Sequence, residues 1–367
     1  MNSSKQTQKG GDNSQQIQAN TIVINNGIEE KRAREIFKEM FEIARKDFSF
    51  EAEEIAEERV GRFEDQLMIA MQKVEGALNA FADPSFQFLI RSANKTAAST
   101  ERVEDYTLLS ELLVHRIERK SSRETYSGVW RAVEIVDKIS DEALLGLTVA
   151  FAIGQYTPTS GNITEGLDVL DDLFRKLCVD KLPIGINWLE QLDILDAARV
   201  NTFGGMKKLE EFYAEKMSGY CVIGMKKESE QYNKALRLLK ENGLPSNLLI
   251  ENELLADYVR IPIVNKNGIE DISITYIVEE KDIEIRHELT TQQKEILKNI
   301  FEMYVVDPNI QKQIKERFCN EIEKRKYLKI IKEWWNQIPN AFKITIVGKV
   351  LAHSNAKRCD NTLPDLD

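Results

Sequence analysis

Apolar residues recur three or four positions apart over almost fifty residues near the start of this chain, from Ala33 to Phe81. This spacing places them on one face of an α-helix, because a helix completes a turn every 3.6 residues. The opposite face is rich in Glu, Lys and Arg. We therefore predict a long amphipathic helix, or a helix pair broken at residues 47–50, over residues 29–82. Such a stripe is also typical of a coiled-coil stalk, although its spacing drifts from strict heptads.

Helical periodicity continues through most of the chain, which has only 8 prolines and 18 glycines in 367 residues. Residues 85–98 are weakly patterned, and we predict a loop at residues 92–100. The pattern predicts further helices at about 101–119, 123–138, 140–153, 163–178, 187–198, 204–216, 228–242, 246–257, 292–305, 309–336 and 343–357. The predicted fold class is thus mainly α, a multi-helix domain.

One extended stretch, residues 258–289, interrupts the helices. Asn267-Gly268 is a strong hairpin signal, and Glu280-Lys281 supplies a second turn. These turns predict a small three-stranded antiparallel β insert with strands at 259–264, 271–278 and 282–287.

A short β-branched run near the N-terminus predicts a single strand that ends at an Asn-Asn-Gly turn. No partner strand follows within two hundred residues. Because an unpaired strand edge recruits another chain, we predict that this strand mediates oligomerisation. The alternative is a strand that docks on its own domain or on the later sheet. The predicted oligomerisation residues are Ile17, Ala19, Thr21, Ile22, Val23 and Ile24.

These patterns divide the chain into five predicted parts. They are a flexible tail with the oligomerising strand (1–28), the long helix or helix pair (29–82), a helical core domain (83–257), the β-meander (258–290) and a C-terminal helical region (291–367).

Composition and motifs argue against several classes of function. The net charge of −10 gives no overall attraction to nucleic acid or anionic membranes. The four cysteines and three histidines are scattered, so no metal site is predicted, and no phosphate-binding loop or catalytic motif is present, so no cofactor is predicted. The N-terminus lacks an apolar signal segment, and the uncharged run at 143–164 is too short to span a membrane. We expect a cytoplasmic protein, and we favour a non-enzymatic function over an enzymatic one.

Three groups of residues remain as candidates for a site. Glu190, Asp193, Asp196 and Arg199 follow one another at three-residue spacing, which indicates a polar groove or a structural ion pair. Asp271 and Glu284 could form a nuclease-like metal site on the β insert, which is the alternative enzymatic interpretation.

The third group is the basic region 309–358, which includes Trp334 and Trp335. Residues 309–360 hold twelve Lys or Arg against five Asp or Glu. Basic residues beside aromatics are typical of nucleic-acid binding, although a Trp pair at a helix end is also typical of a core. In the helix after it, Thr345 is expected to be the N-cap, and His353 is expected to be a hydrogen-bonded structural residue.

Two resemblances bear on function. The run Gly11-Asp12-Asn13-Ser14, with Ile17-Gln18-Ala19 and TIVINNGI, resembles a short N-terminal tag on unrelated bacterial proteins, many of them linked to defence against phage. The segments 182–200 and 344–366 resemble an uncharacterised bacterial family of similar length that is known by locus-tag names. The first resemblance implies oligomerisation. The second brings no established activity, so no catalytic residue can be carried over from it. Together they suggest a homo-oligomeric sensor or scaffold in anti-phage defence, with itself and a phage or host protein as partners.

Overall fold

The computed structural model describes residues 28–46, 49–118, 123–177, 181–278 and 283–366. Over these residues the chain is mainly helical with small antiparallel sheets of two or three strands, so the predicted fold class is confirmed. The predicted oligomerising strand at residues 17–24 lies outside the described residues.

The helices in the first half of the chain pack into one hydrophobic core. They are α1 (Glu30–Arg45), α2 (Phe50–Gln72), α3 (Pro84–Ser99), α4 (Val103–Glu118), α5 (Arg123–Ile135), α6 (Asp141–Gln155) and α7 (Ile163–Leu177). The second half adds α8 (Asn187–Ile194), α9 (Leu209–Lys216), α10 (Glu230–Glu241), α11 (Thr291–Phe301), α12 (Pro308–Glu323), α13 (Lys326–Trp335) and α14 (Ile346–Cys359).

The N-terminal amphipathic stretch is a helix pair. Ser49, which lies within the predicted break at residues 47–50, occupies the N-cap position of α2. The apolar stripe of α1 is buried, and the ring of Phe37 lies 5.7 Å from that of Phe63 on α2. Because the stripe packs on α2 and α3 of its own chain, the structure gives no support to a coiled-coil stalk.

Helix α3 replaces the loop predicted at residues 92–100, which is therefore a wrong prediction. Asp83 caps the helix by accepting a hydrogen bond from Ser85 N at 2.7 Å, and Pro84 follows at its first position. The small residues Ala93, Ala97 and Ala98 are buried. They let α3 approach its neighbours closely, so tertiary packing outweighs a weak hydrophobic pattern.

Helix α14 lies at the centre of the core, where it contacts α4, α5, α6 and α7. As predicted, Thr345 caps it: the Thr345 hydroxyl accepts from Gly348 N at 3.2 Å. A side chain at Gly348 would lie 2.0 Å from the carbonyl oxygen of Ala197, so only glycine fits there. His353 is buried, and its Nε2 lies 3.0 Å from the carbonyl oxygen of Pro364.

Three small antiparallel sheets accompany the helices in the described residues. Strand β1 (Ala198–Asn201) pairs with β7 (Ala341–Ile344). The short strands β2 (Met225–Lys226), β3 (Ile250–Glu251) and β4 (Tyr258–Arg260) form a sheet in the order β2-β4-β3. Strands β5 (Ser273–Val278) and β6 (Ile283–Glu288) form a hairpin.

The predicted insert therefore has different strand partners. Its second and third strands pair as predicted, but the first pairs with β2 and β3 instead of β5. Asn267-Gly268 belongs to a 3₁₀ turn, Lys266–Asp271, because the Asn265 side chain accepts from Gly268 N at 3.1 Å and caps that turn. The predicted turn at residues 280–281 lies outside the described residues. The helix predicted at 246–257 is instead a short 3₁₀ turn followed by β3.

A second hydrophobic cluster lies apart from the main core, between residues 225 and 304. A fully buried arginine, Arg260, links it to the helical core. Its Nη2 donates to the carbonyl oxygen of Gly161 at 2.8 Å and lies 3.1 Å from Glu253 Oε2. Glu253 in turn accepts from the first backbone N–H groups of α7, Ile163 N at 2.7 Å and Thr164 N at 3.0 Å. One carboxylate thus pairs a buried charge and caps a helix.

Candidate interaction surface

Three of the four residues of the predicted polar groove come together where α8 ends. Arg199 Nη2 lies 2.6 Å from Asp196 Oδ1, and Arg199 Nη1 lies 3.5 Å from Asp193 Oδ1. Asp196 adopts a left-handed backbone conformation with φ of 62°, which turns the chain from α8 into β1. Glu190 lies on α8 and is exposed, and no salt bridge to it occurs within the described part of the chain.

A second arginine completes this ion cluster. Arg131 on α5 lies 3.3 Å from the other carboxylate oxygen of Asp196. The hydrogen bond from Arg199 holds the pKa of Asp196 below its usual range. A carboxylate that stays ionised between two guanidinium groups is a poor proton donor or acceptor near neutral pH. The arrangement is therefore suited to binding by charge and not to acid–base catalysis.

Exposed apolar side chains lie close in sequence to the ion cluster. Ile184 is 72% exposed, Ile194 is 78% exposed and Phe203 is fully exposed. Among the large apolar side chains in the described ranges, only Val306 has a comparable exposure, at 92%. Three of the four most exposed apolar side chains therefore lie within twenty residues of one another.

A pair of buried tryptophans holds the two loops that carry Ile184 and Phe203. Trp334 donates from its indole nitrogen to the carbonyl oxygen of Pro183 at 2.7 Å. Trp335 donates in the same way to Lys207 O at 2.9 Å. The C-terminal end of α13 therefore anchors both loops, at the residue before Ile184 and at Lys207, four residues after Phe203.

The ring of Trp188 on α8 packs against two aromatic rings next to these loops. It lies 5.7 Å from the Trp334 ring and 5.8 Å from the Phe342 ring of β7. A cavity of about 50 Å³ opens between Ile184, Trp188 and Trp334. We call the exposed residues Ile184, Ile194 and Phe203, the ion cluster of Arg131, Asp193, Asp196 and Arg199, and this cavity the α8–β1 surface.

The basic region 309–358 is partly engaged in contacts within the chain. Trp334 and Trp335 are buried, so neither ring is available to stack on a base. Arg325 pairs with Asp168 at 2.7 Å, and Arg317 donates to the carbonyl oxygen of Leu254 at 2.6 Å.

The nuclease-like pair is not brought together. Asp271 ends a 3₁₀ turn two residues before β5, whereas Glu284 pairs with Ile277. Four residues separate Ser273 from Ile277, which corresponds to about 13 Å of strand. The two acids therefore lie at opposite ends of the hairpin. Among the described residues no group of three His, Cys, Asp or Glu is arranged to hold a metal ion.

Sequence reasoning missed the apolar part of the α8–β1 surface. One signal was available: Ile194 directly follows Asp193 on the charged side of α8, whereas Trp188, Leu189 and Leu192 form its buried face. An apolar residue on the charged side of a short helix does not pack in the core of its own chain, so its presence there indicates a contact with another molecule. No comparable signal identifies Phe203, because its exposure depends on the loop between β1 and α9.

None of the helices in the described ranges combines the length and apolarity that a membrane crossing requires.

Comparisons with known proteins place the chain in a family. No curated protein and no solved structure matches the chain. One family model, described only as “:-like”, matches residues 27–366. Because that match covers almost the whole chain, the protein belongs to this family.

Proposed function

We propose that this protein is a non-enzymatic, homo-oligomeric scaffold that acts through protein–protein contacts in bacterial anti-phage defence. The observation that supports a contact function is the high exposure of Ile184, Ile194 and Phe203, three large apolar side chains within twenty residues of sequence. Assembly is proposed from the sequence of residues 17–24, and the link to defence is proposed from the resemblance of the N-terminal run.

The composition of the α8–β1 surface resembles that of a protein interface. Single exposed apolar side chains are common on ordinary protein surfaces. A concentration of large exposed apolar side chains is uncommon there and marks an interaction site. Interfaces commonly combine aromatic and aliphatic anchors with a polar rim. Here Phe203 and Ile194 supply the anchors, and Asp196 with Arg199 supplies the rim. The proposed partner is a phage or host protein.

Self-assembly would make a weak contact of this kind effective. When several copies are tethered, the second contact becomes intramolecular, and the apparent affinity rises without a new interaction. In this mechanism the N-terminal strand supplies the tether and the α8–β1 surface supplies the contact. Neither step requires a catalytic residue or a cofactor.

One experiment tests the contact surface in cells. The double variant Ile194→Ser and Phe203→Ser should fold normally, because both side chains are exposed, and should lose phage protection. Val306→Ser is the matched control, since Val306 is as exposed but lies outside this surface. Protection is read as plaque counts and folding as the thermal unfolding midpoint. Full protection by the double variant would refute a role for this surface.

A second experiment tests assembly. The mass in solution is measured by light scattering for the full chain, for a deletion of residues 1–28 and for Ile22→Asp/Ile24→Asp. Aspartate charges at these positions would be buried in a strand interface. Each buried charge costs several kcal/mol in free energy of association, and access of water to the charge would reduce this cost. We expect the full chain to be a multimer and both variants to be smaller. An unchanged mass in both variants would contradict assembly through this strand.

A further inference from the structure

We infer that the outward face of α2 pairs with the same face of a second copy of this chain, with the two helices antiparallel about a two-fold axis at Arg62. This face lies opposite the apolar side that α2 buries in the core. The contact is separate from the α8–β1 surface and from the strand proposed at residues 17–24. It would therefore bring two copies together without help from either.

Two exposed isoleucines mark the outward face of α2. Ile55 and Ile69 are each 52% exposed, whereas Phe63 and Leu67 on the other side of the helix are fully buried. The two isoleucines are fourteen residues apart, and Arg62 lies midway between them. Because fourteen residues make almost four whole turns, the three side chains lie along one line, about 21 Å long. A second helix laid along this line would cover both isoleucines.

The order of these residues is symmetric about Arg62. When two copies of α2 run antiparallel with Arg62 at the axis, Ile55 of each copy faces Ile69 of the other. The same apolar contact therefore forms twice in one closed pair, as a two-fold interface requires. All four isoleucines lose contact with water, which supplies the driving force for association.

The charges on this face favour the antiparallel arrangement. Glu58 and Asp65 lie on either side of Arg62, and their side chains are 64% and 72% exposed. A parallel pair would set each of these three residues against its own copy, and facing like charges oppose association. In the antiparallel pair, Arg62 instead lies between Glu58 and Asp65 of the second copy. The face is thus complementary in charge to itself in one direction only.

The Arg62 side chain points in the direction that this pairing needs. Its Nη2 atom lies 2.5 Å from Glu58 Oε1, one turn towards the N-terminus, as helical side chains usually lean. In an antiparallel pair this direction leads to Asp65 of the second copy. Asp65 has only a long contact in its own chain, 3.4 Å to Arg34 Nη1. The Arg62 guanidinium has five donors, so it can bridge one acid of each copy.

Gly61 leaves room beside Arg62 for a second helix. Glycine inside a helix lowers its stability relative to alanine. A side chain at Gly61 would meet no atom within 4 Å, so no contact in the described part of the chain requires glycine there. Glycine does allow another backbone to approach closely. A neighbouring helix on this face accounts for a residue that the fold of a single copy does not need.

Cysteine cross-linking of the full-length protein tests the contact and its direction. Ile55→Cys/Ile69→Cys should form a disulfide-linked dimer on mild oxidation, because the two positions face each other across the pair. Each single variant should not, since equal positions lie about 21 Å apart and a disulfide needs Cα atoms within about 7 Å. The natural protein, in which Cys359 is exposed, gives the background. Thermal unfolding verifies that each variant folds.

A charge exchange in the double-cysteine protein tests the role of Arg62. Arg62→Glu should lower the initial rate of dimer cross-linking about tenfold, because three acids of each copy would then face one another. Asp65→Arg added to Arg62→Glu should restore most of it, since the pair between copies is re-formed with its charges exchanged. Arg32→Glu on α1 is the matched control, because Arg32 is as exposed as Arg62 and lies off this face.

Three outcomes would overturn the inference. They are no dimer from the double-cysteine variant, dimers of equal yield from the single variants, which indicate a parallel pair, and cross-linking that Arg62→Glu leaves unchanged. None of them bears on the strand at residues 17–24, which the mass of its own variants tests. If both contacts exist, deletion of residues 1–28 should leave a dimer that still cross-links through positions 55 and 69.

Discussion

Arg260 and Glu253 form an ion pair in which the guanidinium is fully buried and the carboxylate is a quarter exposed. Glu253 also caps α7, so one side chain connects the cluster at 225–304 to the helical core. The Arg260 ring-face contact with Tyr220, 5.7 Å from the ring centre, adds to the same junction. This ion pair is therefore one of the polar contacts that attach the second hydrophobic cluster to the helical core.

Glu253→Ala should destabilise the protein by about 3 kcal/mol, because it leaves a buried guanidinium unpaired and an α7 N-terminus uncapped. Glu251→Ala is the control: Glu251 pairs with Lys227, but its side chain is 80% exposed. We expect a much smaller change in the control. Urea unfolding measures both, and equal losses of stability would contradict the role assigned to Arg260.

Two buried asparagines should respond in opposite directions to the same substitution. Asn94 is fully buried, and within the described chain its side-chain nitrogen and oxygen have no partner. Asn355 is also buried, but its amide donates to the Thr148 hydroxyl at 2.8 Å. Asn94→Leu should raise the free energy of unfolding by about 2 kcal/mol, and Asn355→Leu should lower it by about 1 kcal/mol. Destabilisation by Asn94→Leu would show that its amide has a partner, such as ordered water.

Lys216 should make stability depend on pH. Its ammonium donates to three carbonyl oxygens at the C-terminal end of α6, those of Ile153, Gly154 and Tyr156. Burial lowers the pKa of Lys216 from 10.5 to about 8. Above pH 8 the folded protein has released a proton that the unfolded chain still holds, so stability from this residue rises with pH between about 8 and 10.5, by about 1.4 kcal/mol per pH unit.

The measurement compares the natural protein with Lys216→Met by chemical unfolding between pH 7 and 9.5. We expect the stability difference in favour of the natural protein to grow above pH 8 and to stay constant below it. A difference that stays constant up to pH 9.5 would show that the three carbonyls offset the burial and keep Lys216 protonated in the folded protein.

Removal of residues 344–367 should make the protein aggregate. The deletion removes α14, which is buried against four helices. The apolar faces of α4–α7 would then be exposed to water. His353→Gln should fold and function normally, because a glutamine amide can also donate to the carbonyl oxygen of Pro364. The soluble fraction and the thermal midpoint are the readouts. A soluble, equally stable truncation would show that α14 is not required for the core.

Strong periodicity made much of the fold predictable. The helix predicted at 163–178 is α7, Ile163–Leu177, and the apolar run from Ala143 is the buried helix α6. The C-terminal helix and its Thr345 cap were also predicted, because capping is a local signal. In these segments burial, propensity and end signals all agree.

The remaining errors have non-local causes. The helix predicted at 187–198 ends at Ile194, because Asp196 takes a left-handed conformation and turns the chain into strand β1. Its partner β7 lies about 140 residues away, and such distant pairing leaves no local pattern. The helix predicted at 309–336 divides into α12 and α13 for a similar reason: Arg325, which separates them, pairs with Asp168 on α7.

The candidate sites were only partly visible in the sequence. The spacing of Asp193, Asp196 and Arg199 singled out residues that do lie together. Phe203 was not singled out, because its exposure arises only in the folded chain. Periodicity identifies faces of helices and strands, whereas Phe203 lies in the loop between β1 and α9.

The central position of α14 sets the order of events during synthesis. A ribosome that has just completed α7 must add 169 more residues before it reaches Ile346. At about 5–20 residues per second, this takes roughly 8 to 34 s. During that interval the first helices can form but cannot close around their missing neighbour. The nascent chain is therefore a client for holding chaperones until α14 arrives, and slow translation would lengthen its period of risk.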